Sequence, residues 1–292
     1  EIPNFKCFGY YGGMPKLNLK NPEVEKFITD VACYWIRECD IDGWRMDVGD
    51  EISHFFWKNF RKAVKAVKKD MLIIGEIWHY AGDFLEGDEW DTVMNYPFYL
   101  NMIDLLADEK ITVSQFIQNL GYLKGRLNKK CYPLMWNLID SHDTARFLHL
   151  CKNNKKKQHL AAAFQLLLPG MPMIYYGDEY AMPGANDPDC RRGMYWDEEY
   201  QDKEMYEWYK RLIQVRKSHA CIVEGELAGS VTEDEEGTII LIRKNGEETI
   251  AMIFNCSSSA KKFNEYTQKY NLLTENTFDG NVEGFDAAVI VL

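Results

Sequence analysis

The sequence lacks the patterns that mark several large classes of protein. It contains no run of about 18 apolar residues, so no segment is predicted to span a membrane. Its formal net charge is -11, which argues against nucleic acid or anionic membrane as the main partner, since both require clustered Lys and Arg. No GxGxxG motif marks a dinucleotide-binding sheet. We therefore expect neither nucleic acid nor membrane as a partner.

The eight cysteines form no metal-binding or disulfide pattern. No CxxC spacing occurs, and most of the cysteines lie inside apolar helical or strand patterns, which predicts reduced core thiols. Reduced thiols favour a cytoplasmic location, although the sequence leaves the compartment open. No signal peptide is visible, and the chain begins at Glu1 rather than Met. We expect the natural polypeptide to be longer, with these 292 residues as its carboxyl-terminal part.

Helical and strand patterns alternate from residue 21 onward. Helices are predicted at 21–39, from Ser53, and at 100–121, 155–168 and 203–218, and strands at 43–48, 71–77, 92–94, 134–139 and 171–176. This βαβα order predicts an α/β fold with a parallel sheet. A closed barrel needs eight strands. The simplest prediction is a (β/α)8 TIM-barrel type of which only about the last five strands are present.

The pattern changes after Cys221, where short runs typical of antiparallel strands begin. They cover Leu227–Thr232, Thr238–Arg243, Thr249–Asn255 and Ala287–Leu292, and Asn245-Gly246 is a strong hairpin signal. We predict a partial barrel catalytic domain at 1–219 that lacks its first three strands. A carboxyl-terminal β-sandwich domain is predicted at 220–292. The exposed edges of a partial sheet also favour a homo-oligomer.

Three acids follow short apolar runs in the part predicted as a barrel. Asp47 ends Gly43-Trp44-Arg45-Met46-Asp47, Glu76 ends Leu72-Ile73-Ile74-Gly75-Glu76, and Asp143 closes the run that starts at Trp136. Carboxylates at the carboxyl ends of parallel strands meet at one mouth, where barrel enzymes keep their chemistry. An Asp after a strand is also often only a helix cap or a turn former. The convergence of three acids is what predicts an enzyme.

Two of these acids suit retaining glycoside hydrolysis, which needs a nucleophile and a proton donor about 5–5.5 Å apart. Asp47 and Glu76 follow strands that are adjacent in sequence, and neighbouring strands lie about 4.8 Å apart. Arg45 faces the same side of its strand as Asp47 and would orient it. Asp143 would stabilise positive charge in the transition state. The other interpretation of Arg45 is a structural ion pair.

The same segments resemble a known family. Asp42-Gly43-Trp44-Arg45-Met46-Asp47, Gly75-Glu76-Ile77-Trp78 and Ser141-His142-Asp143-Thr144 resemble three signatures of the α-amylase superfamily of retaining glycosidases, glycoside hydrolase family 13. Met14-Pro15-Lys16-Leu17-Asn18, Met94-Asn95-Tyr96-Pro97-Phe98, Tyr175-Tyr176-Gly177-Asp178-Glu179 and Asn186–Arg191 resemble its neopullulanase, cyclomaltodextrinase and maltogenic amylase branch.

The resemblance assigns a role to each candidate residue. It implies Asp47 as nucleophile, Glu76 as acid/base and Asp143 as transition-state stabiliser. It further implies that the remaining candidates contact the sugar, namely Arg45, His142, Trp78, Asp187 and Arg191. For Asp187 and Arg191 the alternative is a loop ion pair, and for Trp78 it is a core position. The implied partner is an α-glucan such as a cyclodextrin, pullulan, starch or a maltooligosaccharide.

One departure from the family pattern concerns the early barrel. The family has an Asn-His pair at the end of an early strand, and this chain contains no Asn-His dipeptide. We therefore expect little or no hydrolysis by the 292-residue chain alone. The chemistry needs no cofactor, and the sequence leaves open a structural Ca²⁺ ion before Glu1. Two alternatives remain: a non-catalytic carbohydrate-binding or interaction protein on a degenerate glycosidase scaffold, and a Mg²⁺-dependent barrel enzyme.

Overall fold

The computed structural model describes residues 4–292, which form two compact units. The first unit ends at Met94, and the second spans Asn95–Leu292. Among the described residues, no helix combines the length and the apolar character that crossing a membrane requires.

Helices and parallel strands alternate in the first unit. Its helices are α1 (Pro22–Cys39) and α2 (His54–Val67), and its strands are β1 (Gly43–Met46), β2 (Leu72–Gly75) and β3 (Thr92–Asn95), which ends one residue inside the second unit. Strand β2 pairs in parallel with both β1 and β3. This arrangement places the ends of β1 and β2 side by side.

Capping residues and apolar faces explain the two helices of the first unit. The side chain of Asn21 accepts a hydrogen bond from the backbone of Glu23 at 2.9 Å, and Pro22 occupies the first helical position. Ser53 caps α2 in the same way, through the backbone N–H of Phe56. The buried side of α2 carries large apolar side chains at helical spacing, namely Phe56, Trp57, Phe60 and Val64. Both predicted helix starts are confirmed.

The second unit begins with helices and two short parallel strands. The helices are α3 (Tyr96–Met102), α4 (Val113–Arg126), α5 (Phe147–Leu150), α6 (Lys155–Leu167), α7 (Lys203–Ser218) and α8 (Ala220–Glu224). Strand β4 (Trp136–Asn137) pairs in parallel with β5 (Met171–Pro172). The parallel strands follow one another in chain order from β1 to β5. The five predicted parallel strands are therefore confirmed, although β4 and β5 are shorter than predicted.

Antiparallel strands make up the rest of the second unit. They are β6 (Glu226–Glu233), β7 (Thr238–Asn245), β8 (Glu248–Asn255), β9 (Lys261–Lys262), β10 (Tyr270–Asn271), β11 (Asn276–Thr277), β12 (Asn281–Val282) and β13 (Asp286–Val291). Six of them form a sheet in the order β11-β10-β13-β8-β7-β6, and β12 pairs with β9. The predicted hairpin after Asn245 is confirmed, with Gly246 at a φ of 61° in the turn.

The six-stranded sheet buries side chains on both faces. On one face Phe254 stacks on Phe164 of α6, with ring centroids 4.2 Å apart, inside a core that also includes α7. On the other face Phe263 and Phe278 cover apolar residues of the sheet. The core therefore continues across residue 220, where the sequence predicts a domain boundary. The antiparallel region is confirmed, whereas the boundary stays a prediction.

The prediction of one continuous helix at 100–121 is wrong. Helix α3 ends at Met102 and passes through a π-helical turn at Ile103–Ala107, and α4 starts only at Val113. The reason is a capping box: Thr112 accepts from the backbone of Gln115, whose side chain accepts in return from the backbone of Thr112. This box starts a new helix inside an apolar pattern that looks continuous.

Candidate active site

Asp47 and Glu76 follow the last residues of two paired strands. Met46 of β1 stands opposite Gly75 of β2, so Asp47 and Glu76 come next on their strands. The backbone N–H of Glu76 donates to the carbonyl oxygen of Met46 at 2.9 Å, which continues the ladder past the strand ends. The prediction that these two acids lie on neighbouring strands is confirmed.

Arg45 contacts both acids. Its Nη1 donates a hydrogen bond to Oδ1 of Asp47, and its Nη2 lies 2.8 Å from Oε1 of Glu76. Glu76 is buried and also accepts from the backbone N–H of Val48 at 2.9 Å, whereas the side chain of Asp47 is 73% exposed. We refer to Arg45, Asp47 and Glu76 as the strand cluster. One guanidinium thus fixes a buried acid and an accessible acid relative to each other.

The backbone behind the strand cluster is strained and closely packed. Val48 has a φ of 45°, which is rare for a β-branched residue and is typical of functional sites. Gly49 and Gly75 both lie against the ring of Trp90, which is buried and stacks on Phe84. A Cβ at Gly75 would be 2.2 Å from the Trp90 ring. Sequence reasoning missed Trp90, because its packing against Gly49 and Gly75 joins residues that are distant in the sequence.

A second group of predicted residues lies in the second unit. Nε2 of His142 is 3.2 Å from Oδ2 of Asp143, and Nη2 of Arg191 donates to Oδ1 of Asp143 at 3.0 Å. Nε of Arg191 is 2.8 Å from Oδ1 of Asp187. We refer to His142, Asp143, Asp187 and Arg191 as the loop cluster. Asp187 and Arg191 thus form the loop ion pair named as the alternative, while Arg191 also binds Asp143.

Polar side chains hold the turn that carries His142 and Asp143. The hydroxyl of Ser141 accepts from the backbone N–H of Asp143 at 3.2 Å and hydrogen-bonds the hydroxyl of Tyr96 at 3.1 Å. The thiol of Cys190 donates to the carbonyl oxygen of His142 at 3.3 Å. Sequence reasoning missed these contacts because they join residues that are up to 48 positions apart.

The predicted site residues therefore fall into two groups, each inside one unit. Trp78 follows Glu76 by two residues and is 42% exposed, so it is not a core side chain. A cavity of about 320 Å³ in the second unit is lined by other residues, among them His159 and Asp286. Within residues 4–292, no group of three or more His, Cys, Asp or Glu side chains has an arrangement that could hold a metal ion.

Comparison with known families identifies the chain. The model of the α-amylase catalytic domain matches residues 4–225, which include both clusters. The chain belongs to the α-amylase family. The resemblance predicted from the strand-end motifs is thereby confirmed.

Two curated members of the α-amylase family cover most of this chain. A cyclomaltodextrinase from Geobacillus thermopakistaniensis (strain MAS1) is 45% identical over 258 residues, which are 88% of this chain and 44% of that protein. An intracellular maltogenic amylase from Bacillus subtilis is 44% identical over 253 residues, which are 86% of this chain and 43% of that protein. The chain spans about half the length of the curated relatives it matches.

A solved α-amylase family structure has the same fold. The structure of a cyclomaltodextrinase superposes with a TM-score of 0.91 at 35% identity, and the match covers 99% of this chain and 52% of that chain. The elements that carry both clusters lie inside this match. The family fold therefore applies to the whole described chain.

Proposed function

We propose that this chain carries the catalytic residues of a retaining glycoside hydrolase that cleaves α-1,4-glucosidic bonds of α-glucans. The substrates are cyclodextrins, pullulan, starch or maltooligosaccharides. The observation that carries the proposal is the strand cluster, in which Arg45 contacts an exposed Asp47 and a buried Glu76 at the ends of paired strands. Two carboxyl groups held close together are what retaining hydrolysis requires.

The two acids divide the reaction into two displacements. The carboxylate of Asp47 attacks the anomeric carbon, and the bond from that carbon to the glycosidic oxygen breaks while Glu76 gives its proton to the leaving oxygen. A water molecule then loses a proton to Glu76 and attacks the same carbon, which frees Asp47. The carboxylate of Asp143 stabilises the positive charge that the sugar ring carries in both transition states.

The remaining candidate residues bind the sugar. His142 and Arg191 present polar hydrogens beside Asp143, and Asp187 presents a carboxylate that is half exposed. Trp78 offers an aromatic face two residues after Glu76, which suits the apolar side of a sugar ring. These side chains are accessible enough to exchange an internal contact for a hydroxyl group of the substrate.

The finer features of the fold are part of the same proposal. The five parallel strands are the last five of a (β/α)8 barrel, and the domain boundary lies near residue 220. The order of the parallel strands along the chain supports the first statement, and the start of the antiparallel strands at Glu226 supports the second. A cytoplasmic location is supported by the eight free thiols.

Two substitutions in the natural polypeptide that carries these residues test the proposal. Asp47→Asn removes the nucleophile, so kcat falls by on the order of 10³-fold or more on starch and on an aryl maltoside alike. Glu76→Gln removes the proton donor of the first displacement, so kcat/KM falls strongly on starch and much less on an aryl maltoside whose leaving group needs no proton. The contrast between the two substrates separates the two roles.

Asp30→Asn serves as the matched control, because Asp30 is exposed and its ion pair within residues 4–292 is with Lys26 on helix α1. This variant is expected to keep the rates of the wild type on both substrates. The proposal is overturned if Asp47→Asn keeps a rate within about tenfold of the wild type.

A further inference from the structure

Two carboxyl groups and one guanidinium are completely buried around the loop cluster. Asp140 and Arg146 flank the turn with His142 and Asp143, and Asp178 follows strand β5. Their exposed fractions are 1% for Asp140 and 0% for both Arg146 and Asp178. Buried charged groups are costly unless they are paired and hydrogen-bonded, so the way in which these three are paired needs a physical account.

In the triad of Asp140, Arg146 and Asp178, three side-chain polar atoms have a partner in another part of the described chain or in the triad. Oδ1 of Asp140 accepts from the backbone N–H of Phe147 at 2.5 Å, and Oδ1 of Asp178 accepts from Nη1 of Arg146 at 3.2 Å. Nη1 of Arg146 also donates to the carbonyl oxygen of Tyr176 at 2.9 Å, and the guanidinium lies over the Tyr175 ring. The other four atoms are Oδ2 of Asp140, Oδ2 of Asp178, and Nε and Nη2 of Arg146. They are buried, and no other residue between 4 and 292 offers them a hydrogen bond.

The two carboxyl groups interact directly with each other. An ionised carboxylate only accepts hydrogen bonds, so two carboxyl groups bind each other only when one of them carries a proton. One shared proton satisfies both remaining oxygens at once. It also leaves a single negative charge opposite Arg146, so that the buried triad has no net charge.

We propose that Asp140 carries a proton on Oδ2, donates it in a hydrogen bond to Oδ2 of Asp178, and thereby positions the turn with His142 and Asp143. Asp140 and Asp178 are positioning residues, because neither is placed on the sugar. The triad connects the turn with His142 and Asp143 to the loop that leads to Arg191. The backbone N–H of Arg146 donates to the carbonyl oxygen of Gly184 at 2.9 Å, and Gly184 starts that loop.

The electrostatic environment is consistent with this proton position. Burial, followed by the charge of Asp178, raises the pKa of Asp140 well above its usual range. Burial raises the pKa of Asp178 to about 7, against the opposing effects of the Asp140 hydrogen bond and the Arg146 charge. The charge of Glu179 also raises the pKa of Asp178, and the charges of the pair in turn act on three other buried groups, Tyr209, Tyr99 and Cys151.

The test compares two substitutions of Asp140 in the 292-residue chain. Asp140→Asn keeps an acceptor for Phe147 and a donor for Asp178, so Tm is expected to stay within about 3 °C of the wild type. Asp140→Ala removes both and leaves the Asp178 charge without its donor, so Tm falls by on the order of 10 °C. Hydrogen exchange across 140–147 then rises by about tenfold or more, while β7 and β8 are unchanged.

Infrared difference spectra report the proton itself. At about pH 8, the carbonyl band of a protonated carboxylic acid is expected in the wild type and is lost in Asp140→Asn. The proposal is overturned if Asp140→Asn leaves that band in place, or if it destabilises the chain as much as Asp140→Ala. The link to sugar chemistry rests on the proposed function, whereas the infrared and exchange results are independent of it.

Discussion

The strand cluster and the loop cluster each centre on one arginine, but the two arginines stand in different surroundings. Arg45 contacts Glu76, whose side chain is only 4% exposed. Arg191 contacts Asp143 and Asp187, whose side chains are 31% and 56% exposed. Water can replace Arg191 around its exposed partners far more readily than it can replace Arg45 around the buried Glu76. An arginine–carboxylate ion pair therefore contributes differently to the free energy of unfolding in the two units.

The support behind the two clusters differs as well. The strand cluster is set by the backbone, because the pairing of β1 with β2 places Asp47 and Glu76 on neighbouring strands. The loop cluster is set by side chains: Ser141 holds the turn at 141–143 from within, and Cys190 joins that turn to a distant loop. Backbone pairing follows from local patterns, whereas side-chain bridges of this kind depend on tertiary packing.

The largest expected loss of stability comes from removing the guanidinium of Arg45, and it is compared with the removal of the guanidinium of Arg191. Arg45→Met keeps an apolar stem but leaves Glu76 buried without its ionic partner, so the free energy of unfolding falls by about 3 kcal/mol. Arg191→Met breaks half-exposed pairs, so the expected loss is about 0–1 kcal/mol. Urea unfolding followed by tryptophan fluorescence measures both. Equal losses would remove the distinction between the two clusters.

A smaller effect tests the backbone support of the strand cluster. Gly75→Ala places a methyl group against the Trp90 ring, so the end of β2 must move and the free energy of unfolding falls by about 1–3 kcal/mol. Gly121→Ala is the matched control, because Gly121 lies in α4 with nothing within 4 Å of the added Cβ. This control is expected to stabilise the chain by up to about 1 kcal/mol.

Thermal unfolding monitored by circular dichroism gives both values under one set of conditions. If Gly75→Ala is as stable as the wild type, Trp90 does not fix the position of the strand end. Retained activity in a destabilised Gly75→Ala variant would separate the stability of β2 from the placement of Glu76.

Sequence reasoning predicted the strand cluster more completely than the loop cluster. Asp47 and Glu76 could be paired from strand order alone, and Arg45 from the alternation of side chains along β1. For the loop cluster, Asp187 and Arg191 entered only through a family resemblance. Their contact with each other was the alternative interpretation, and the contact of Arg191 with Asp143 was not predicted.

The buried residues behind both clusters could not be predicted from sequence. Trp90 and the Asp140–Asp178 pair act across long chain separations, and neither has a local pattern that distinguishes it from an ordinary core or loop residue. The break before α4 had a local signal, the spacing of Thr112 and Gln115, but the apolar periodicity outweighed it. Local patterns thus indicate where strands end, and tertiary packing decides what surrounds those ends.

The smallest expected effect concerns one anchoring ion pair beside each cluster. Hydrogen bonds from Lys16 and the Gly9 backbone lower the pKa of Glu51, which follows Asp47 by four residues. Hydrogen bonds from Arg192 and the Ala185 backbone lower the pKa of Asp189, which lies between Asp187 and Arg191. Each carboxylate contributes stability above its ordinary pKa, and this contribution disappears as pH falls through the lowered value.

Glu51→Gln and Asp189→Asn are therefore expected to lower Tm by roughly 1–3 °C at about pH 7, and by progressively less as the pH falls through the lowered pKa values. Differential scanning calorimetry across this range measures the difference from the wild type at each pH. A difference that persists unchanged in acid would mean that the amide, not the lost charge, causes the effect. Similar curves for the two variants would show that both clusters are anchored alike at their solvent-exposed margins. The contrast between the clusters would then lie in the burial of Glu76 alone.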